Sequence, residues 1–191
     1  DFGPTDINET IIKNSSWCFI EGYLLANPGK VDAWLLPLIE MCKKHQTKIA
    51  FTCSESWVVE HFRQSVDLVL SAASLVFANE SEAQTLTGSS DAAESIEILK
   101  TKFEYAVVTA GEKGAYVSYQ GKVSHAPSSA TSVVDLNGAG DSLAGGVLYG
   151  LTHGKDIHTS AVLGCHVAAQ VISQSGARVK GQSDFWQKVA A

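Results

Sequence analysis

Cationic residues are scarce in this sequence. Its 191 residues carry 14 Lys and Arg against 20 Asp and Glu, for a net charge of −6. No basic stripe concentrates the few there are, so nucleic-acid binding by phosphate neutralisation is not expected. No apolar run approaches the ~20 residues of a membrane span, and no signal peptide opens the chain. The expectation is a cytoplasmic protein with no membrane partner. There are only four cysteines, Cys18, Cys42, Cys53 and Cys165. None has zinc-ligand or redox spacing, and reduced thiols are expected. Repeats and low-complexity linkers are lacking. Several catalytic signatures are lacking too. The Walker A string G-x-x-x-x-G-K-[ST] does not occur. His125, His153, His158 and His166 do not form the i,i+4 pair of a zinc helix. Ser54-Glu55-Ser56 has no elbow glycines. The chain opens on Asp1 rather than Met, which reads as a fragment or a processed chain.

What is present is apolar substance. Hydrophobic residues make up 45% and charged residues 18%, enough for a sizeable core and one domain. Continuous apolar runs at 17–20, 48–52, 74–78, 105–109 and 132–135 read as strands. Helical spacing places Val31, Trp34, Leu35, Leu38, Ile39 and Cys42 on one face. Pro37 lies inside that stretch and predicts a kink or a start nearer Leu36. A helix is expected over 56–66 with Trp57, Val58 and Phe62 inward, and two short ones at 80–87 and 91–102. Gly88 ends the first and Asp91 caps the second. Residues 114–126 read as a half-exposed antiparallel hairpin turning at Gln120-Gly121. Three more helices are expected, from Gly138, over 156–173 and over 183–190. Buried strands alternating with helices indicate an α/β three-layer sandwich around a mostly parallel central sheet.

The strongest chemical signal is Asp135-Leu136-Asn137-Gly138-Ala139-Gly140-Asp141, read as the link from a strand to a helix. Glycines let a backbone approach a ligand closely. The free N–H groups of the helix behind them make an anion hole suited to phosphate. Asp141, in the first helical turn, is placed to take a proton from an attacking hydroxyl. A dinucleotide fingerprint fails, because Leu143 stands where a third glycine is needed. Read alone, Asn79-Glu80-Ser81-Glu82 is a capping-box-like helix start, and Thr109-Ala110-Gly111-Glu112-Lys113-Gly114 is a turn between strands.

Together, and in this order, these strings resemble the C-terminal part of the ribokinase (PfkB) family of sugar and nucleoside kinases. The family's D-T-x-G-A-G-D, N-x-x-E and T-x-G-x-x-G motifs correspond to Asp135–Asp141, Asn79–Glu82 and Thr109–Gly114. Ser175-Gly176-Ala177-Arg178 corresponds to the loop after its penultimate long helix. Leu136 departs from the usual Thr. The Asp-Leu-Asn-Gly-Ala-Gly-Asp string looks most like adenosine-kinase-type members.

The resemblance implies a ribokinase-like fold whose N-terminal part and lid are absent, with residues 1–191 as the C-terminal, nucleotide-binding and catalytic portion of one domain. It implies ATP-dependent phosphotransfer to a hydroxymethyl group of a nucleoside, adenosine first, or of a sugar. Asp141 would be the base, with Gly138, Ala139 and Gly140 as the anion hole. Asn79, Thr109, Gly111 and Gly114 would bind ATP, and Asn79 and Glu82 would position Mg²⁺ through water. Cys165 and His166 lie on a helix that borders the adenine in such folds. Asp135 is the candidate K⁺ ligand; Lys180 would compete there, which leaves K⁺ open. The expected partner is a small-molecule substrate, with a homodimer or association with the absent N-terminal part besides. This chain alone is expected to turn over weakly. The alternative is a non-catalytic fragment or scaffold that binds a partner chain.

Overall fold

The computed structural model describes residues 3–130 and 132–179. A helix expected over 183–190, with Trp186, and the competing Lys180 lie outside the described residues. A short 3₁₀ turn (Pro4–Asp6) precedes helix α1 (Glu9–Lys13), which Asn8 caps by accepting from the N–H groups of Thr10 and Ile11. Strand β1 (Trp17–Glu21) and a short 3₁₀ turn lead to helix α2 (Pro28–His45). That helix begins well before Leu36, the start suggested by Pro37. Pro28 sits in its first turn, where a missing N–H costs nothing. Burying Val31, Trp34, Leu35, Leu38 and Cys42 along one face outweighs the hydrogen bond Pro37 forgoes.

After β2 (Lys48–Thr52) come two helices, α3 (Ser56–His61) and α4 (Arg63–Ala72), rather than the single one expected over 56–66. Phe62, at φ −114° and ψ 32°, breaks the helix between them. The break lets Val58, Val59, Val66 and Val69 all reach the core. It leaves Phe62 partly buried, and Trp57 is 43% exposed instead of inward.

Strand β3 (Ala73–Asn79), helices α5 (Glu80–Thr87) and α6 (Ala92–Leu99), and strand β4 (Tyr105–Thr109) follow. Gly88 ends α5 in the left-handed region, and Asp91 caps α6 by accepting from Glu94 N–H, both as expected. Strands β5 (Ala115–Tyr119) and β6 (Lys122–Ala126) form the hairpin. Gln120 and Gly121 have φ of 47° and 79°, the two positive values that a tight two-residue hairpin turn needs. Strand β5 is more buried than its alternation suggests, since α6 and α8 (Ile157–Ile172) pack on it from opposite sides. Helix α7 (Ala139–Thr152) pairs with α8.

Residues 132–135 form no strand. The N–H groups of Val134 and Asp135 donate to the Ile172 carbonyl at 2.7 and 3.2 Å, so the last turn of α8 takes the bonds a neighbouring strand would have made. Val133 and Val134 are accordingly exposed at 61% and 63%.

The six strands of the described residues lie in the order β1-β2-β3-β4-β5-β6. The first four are parallel and the hairpin adds two antiparallel strands. Alternate residues face opposite layers. Phe51, Val76 and Val108 join α2 through α6 in one core, while Ala50, Leu75, Phe77 and Val107 join α7 and α8 in the other. The fold is therefore an α/β three-layer sandwich with a mostly parallel sheet. Its parallel strands all end on one edge, where ligands of such folds bind.

Candidate active site

The glycine loop forms that edge's most constrained feature. Gly138 has φ +76°, and a Cβ there would lie 2.7 Å from the Ala177 carbonyl oxygen. Only glycine meets both conditions without strain. It seats the N-terminus of α7. Within the first turn, Ala139 N–H turns back to the Leu136 carbonyl at 3.2 Å and Ser142 N–H donates to the Gly138 carbonyl at 2.9 Å. The amides of Gly140 and Asp141 have no acceptor within the helix, as for any first turn. A Cβ on Gly140 would meet nothing within 4 Å, so its bare backbone faces open space. Asp141 is exposed on the same turn.

Two cavities meet at this loop. The smaller, about 340 Å³, runs along the ends of β1 to β4 and is lined by Glu21, Thr52, Asn79, Glu82, Gly140 and Asp141, among others. The larger, about 710 Å³, runs between the loops that flank the hairpin and α8 and is lined by Gly111, Gly114, Cys165, Ala168, Ala169 and Ile172, among others. Thr109, Leu136, Ala139, Gly140 and Leu143 border both.

Asn79 and Glu82 form a reciprocal capping box at the start of α5. Asn79 Oδ1 accepts from Glu82 N–H at 2.9 Å, and the Asn79 N–H donates to Glu82 Oε2 at 3.0 Å. Asn79 Nδ2 also donates to Glu82 Oε1 at 2.7 Å. Both readings of this string thus have a physical basis: the pair caps the helix, and it lines the smaller cavity. Glu82 is only 4% exposed. Burial pushes its carboxyl above the usual range, against the Asn79 N–H and with the Glu55 charge adding to the rise. A buried carboxylate of this kind gains from a cation nearby. Among the described residues no three His, Cys, Asp or Glu converge on one metal position. The donor set fits a hard cation that keeps its waters and takes other oxygens from phosphate.

The Thr109–Gly114 loop closes on itself. Ala110 N–H donates to Gly114 O at 2.8 Å, and Gly114 N–H to Gly111 O at 3.0 Å. Gly114, at φ +91°, passes so near β6 that a Cβ would lie 2.2 Å from the Ala126 carbonyl oxygen. On α8, Cys165 lines the larger cavity, and its thiol is raised to about 11 by burial. His166 is exposed and does not line it. Asp135 ties two loops together, accepting from Asn137 N–H at 3.0 Å and Gly176 N–H at 2.9 Å. Those two amides hold its carboxyl below the usual range. Ala168, Ala169 and Ile172 were not anticipated as lining. Their spacing of three, four and seven residues from Cys165 is the signal that finds them. Tyr23, Ser54 and Glu55 were also missed; each closely follows the end of a parallel strand.

Comparison with known proteins agrees with the fold and with the family resemblance of the motifs. A family model described as pfkB family carbohydrate kinase matches residues 2–183. The 5-dehydro-2-deoxygluconokinase of Bacillus licheniformis is 30% identical over 179 residues, covering 90% of this chain and 55% of that protein. Adenosine kinase 1 of Arabidopsis thaliana is 27% identical over 194 residues, covering 93% and 55%. The crystal structure of adenosine kinase from Sinorhizobium meliloti matches with a TM-score of 0.90 at 30% identity, covering 100% of this chain and 59% of that one. The chain spans little more than half the length of these relatives. With the family model matching nearly every residue, the chain belongs to the pfkB family of carbohydrate kinases.

Proposed function

We propose that these residues are the nucleotide-binding and catalytic portion of an ATP-dependent kinase that phosphorylates a hydroxymethyl group of a nucleoside, adenosine first, or of a sugar. The observation that carries this reading is the junction of the two cavities at Gly140, with Asp141 next to it in the smaller one. The larger cavity takes the nucleotide, with Gly111 and Gly114 beside its ribose and phosphates and the small side chains of α8 against its base. Thr109, at the border, faces the phosphates. The γ-phosphoryl group rests at the start of α7, where the Gly138–Gly140 backbone and its preorganised dipoles offset charge that develops on the equatorial oxygens. The acceptor lies in the smaller cavity with its hydroxyl at Asp141.

Asp141 takes the hydroxyl proton as the acceptor oxygen attacks phosphorus. The bond between phosphorus and the β,γ-bridging oxygen breaks, and ADP leaves with that electron pair. Glu82 and Asn79 would hold Mg²⁺ through water, and the ion would supply charge that offsets the phosphates. K⁺ would sit at Asp135, whose two backbone donors orient its carboxylate. The remainder of the acceptor pocket comes from chain beyond these residues or from a partner copy, joined along the outer edge of β1.

Replacing Asp141 by Asn tests the reading. The carboxamide keeps size and hydrogen bonding but cannot act as a base at neutral pH. Turnover by the complete gene product should fall ~10²–10⁴-fold, while calorimetry shows Mg·ATP binding retained. Undiminished turnover would remove Asp141 from its role. Absence of both turnover and nucleotide binding in the folded wild type would favour a scaffold that binds a partner chain.

A further inference from the structure

One wall of the smaller cavity has no part in the phosphotransfer just described. It is built where β1 and β2 end. Tyr23 Oη donates to Glu55 Oε1 at 3.2 Å, and both side chains line the cavity that holds Asp141. Glu55 occupies the N-cap of α3, yet its side chain makes no capping hydrogen bond there. A carboxylate at that position ordinarily accepts from its own helix; this one is turned toward the cavity instead.

The backbone that carries Glu55 is tightly held. Glu55 N–H donates to the Cys53 carbonyl at 2.8 Å, an i to i+2 bond that makes a γ-turn across Ser54. Ser54 has φ +66°, the rare and strained form of this turn. Such strain persists where surroundings over-determine it, commonly at ligand sites. Here Gly22 packs directly on the turn: a Cβ at that position would lie 2.2 Å from the Cys53 carbonyl oxygen. On the other side Cys53 N–H is bonded to the Phe77 carbonyl at 3.1 Å. Tyr23 is itself 52% exposed, with its ring 6.4 Å from that of Trp57. It presents both a flat apolar face and a phenolic oxygen.

The charge of the wall is one-sided. Glu21, Glu55, Glu82 and Asp141 line the cavity, and no Lys, Arg or His of the described residues does. We infer that Tyr23 and Glu55 set acceptor specificity, selecting an uncharged molecule whose O–H or N–H groups donate to the Glu55 carboxylate and rejecting acceptors that carry a carboxylate. A site built to accept a hydrogen bond discriminates strongly against a molecule that cannot donate one. A like charge beside Glu55 would be disfavoured in addition. This inference rests on the phosphotransfer reading and goes beyond it by naming the acceptor's charge class and the residues that read it.

The test compares kcat/KM of the complete gene product on adenosine, on ribose and on 5-dehydro-2-deoxygluconate, the last being the sugar acid in one relative's name. Mg·ATP affinity is measured by calorimetry in parallel. Expected is a preference of ~10-fold or more for an uncharged acceptor. Glu55→Gln and Tyr23→Phe should each raise that acceptor's KM by ~10-fold, the scale of one charge-assisted hydrogen bond, with the KM for ATP unchanged. Tyr23→Phe removes one hydroxyl from an exposed ring, so it reports even if Glu55→Gln perturbs folding. With Mg·ATP binding intact, three results overturn the inference: the sugar acid preferred, no uncharged acceptor used, or an acceptor KM unmoved by both substitutions. A folded wild type that binds no Mg·ATP fails the phosphotransfer reading itself, and the inference falls with it.

Discussion

Two adjacent glycines in α7 show how much one methyl group can mean at a given position. A Cβ on Gly146 would lie 2.6 Å from the Gly164 Cα, where α7 and α8 touch backbone to backbone. Gly145 is exposed, and a Cβ there would meet nothing within 4 Å. Gly146→Ala should therefore destabilise by ~1–3 kcal/mol through overpacking. Gly145→Ala should stabilise by ~0.5–1 kcal/mol, because alanine loses less backbone freedom in a helix. Urea unfolding of the two variants checks the pair, and equal effects of one sign would refute the packing account. Two adjacent glycines inside a helix, despite their cost to helix propensity, make a close helix contact legible from sequence. Which of the two makes the contact was not, because that depends on the rotation of α7 against a helix some 18 residues away in the chain.

At the scale of elements, α1 is anchored to the end of α2 by one carboxylate. Glu9 Oε1 accepts from Lys44 Nζ and pairs with His45 Nε2, each at 2.7 Å. The Lys44 hydrogen bond is the main reason that the Glu9 carboxyl drops from 4.5 to about 2, with His45 second. A depressed folded pKa means stabilisation that is fully present above the unfolded value near 4.5 and lost as pH falls toward about 2. Wild type and Glu9→Gln should therefore differ in urea midpoint at pH 6 and converge near pH 2. High salt should shrink the difference, since the group is exposed. A difference that persists unchanged at low pH would show that the charge is not its source.

Elements were legible where the cause is local. The strands over 17–21, 48–52 and 105–109 announce themselves as apolar runs, and Asp91, Gly88 and Gln120-Gly121 mark ends and turns by their own chemistry. Elements decided by tertiary partners were not. Pro37 fails to stop α2 because a buried face carries the helix through it. Val133 and Val134 look like a strand, but the end of α8 takes their loop's hydrogen bonds. The glycine loop and Asp141 were legible as a string. Glu55 was not, since it follows a strained turn at Ser54 that no residue type signals.

Under the proposed reading the two cavities would differ in how much of their wall these residues supply. The larger one lies between the loops that flank the hairpin, the start of α7, and α8, and both helices pack on the sheet. The smaller one reaches to the ends of β1 and β2, and β1 is the outermost strand on that side of the sheet. An outer strand offers unpaired backbone groups to further chain or to another copy. Binding of nucleotide and turnover of acceptor should therefore separate. The 191 residues alone should bind Mg·ATP in a calorimetric titration, and Gly140→Val should abolish that binding by filling the open space in front of the α7 N-terminus. Turnover by the same preparation should be small beside that of the complete gene product, because an acceptor held on one side only is not oriented for attack and the effective concentration gained from orientation is lost. Comparable turnover by the two would mean that the acceptor cavity is complete within these residues. Failure of the folded 191 residues to bind Mg·ATP would mean that the nucleotide wall, too, depends on chain beyond them.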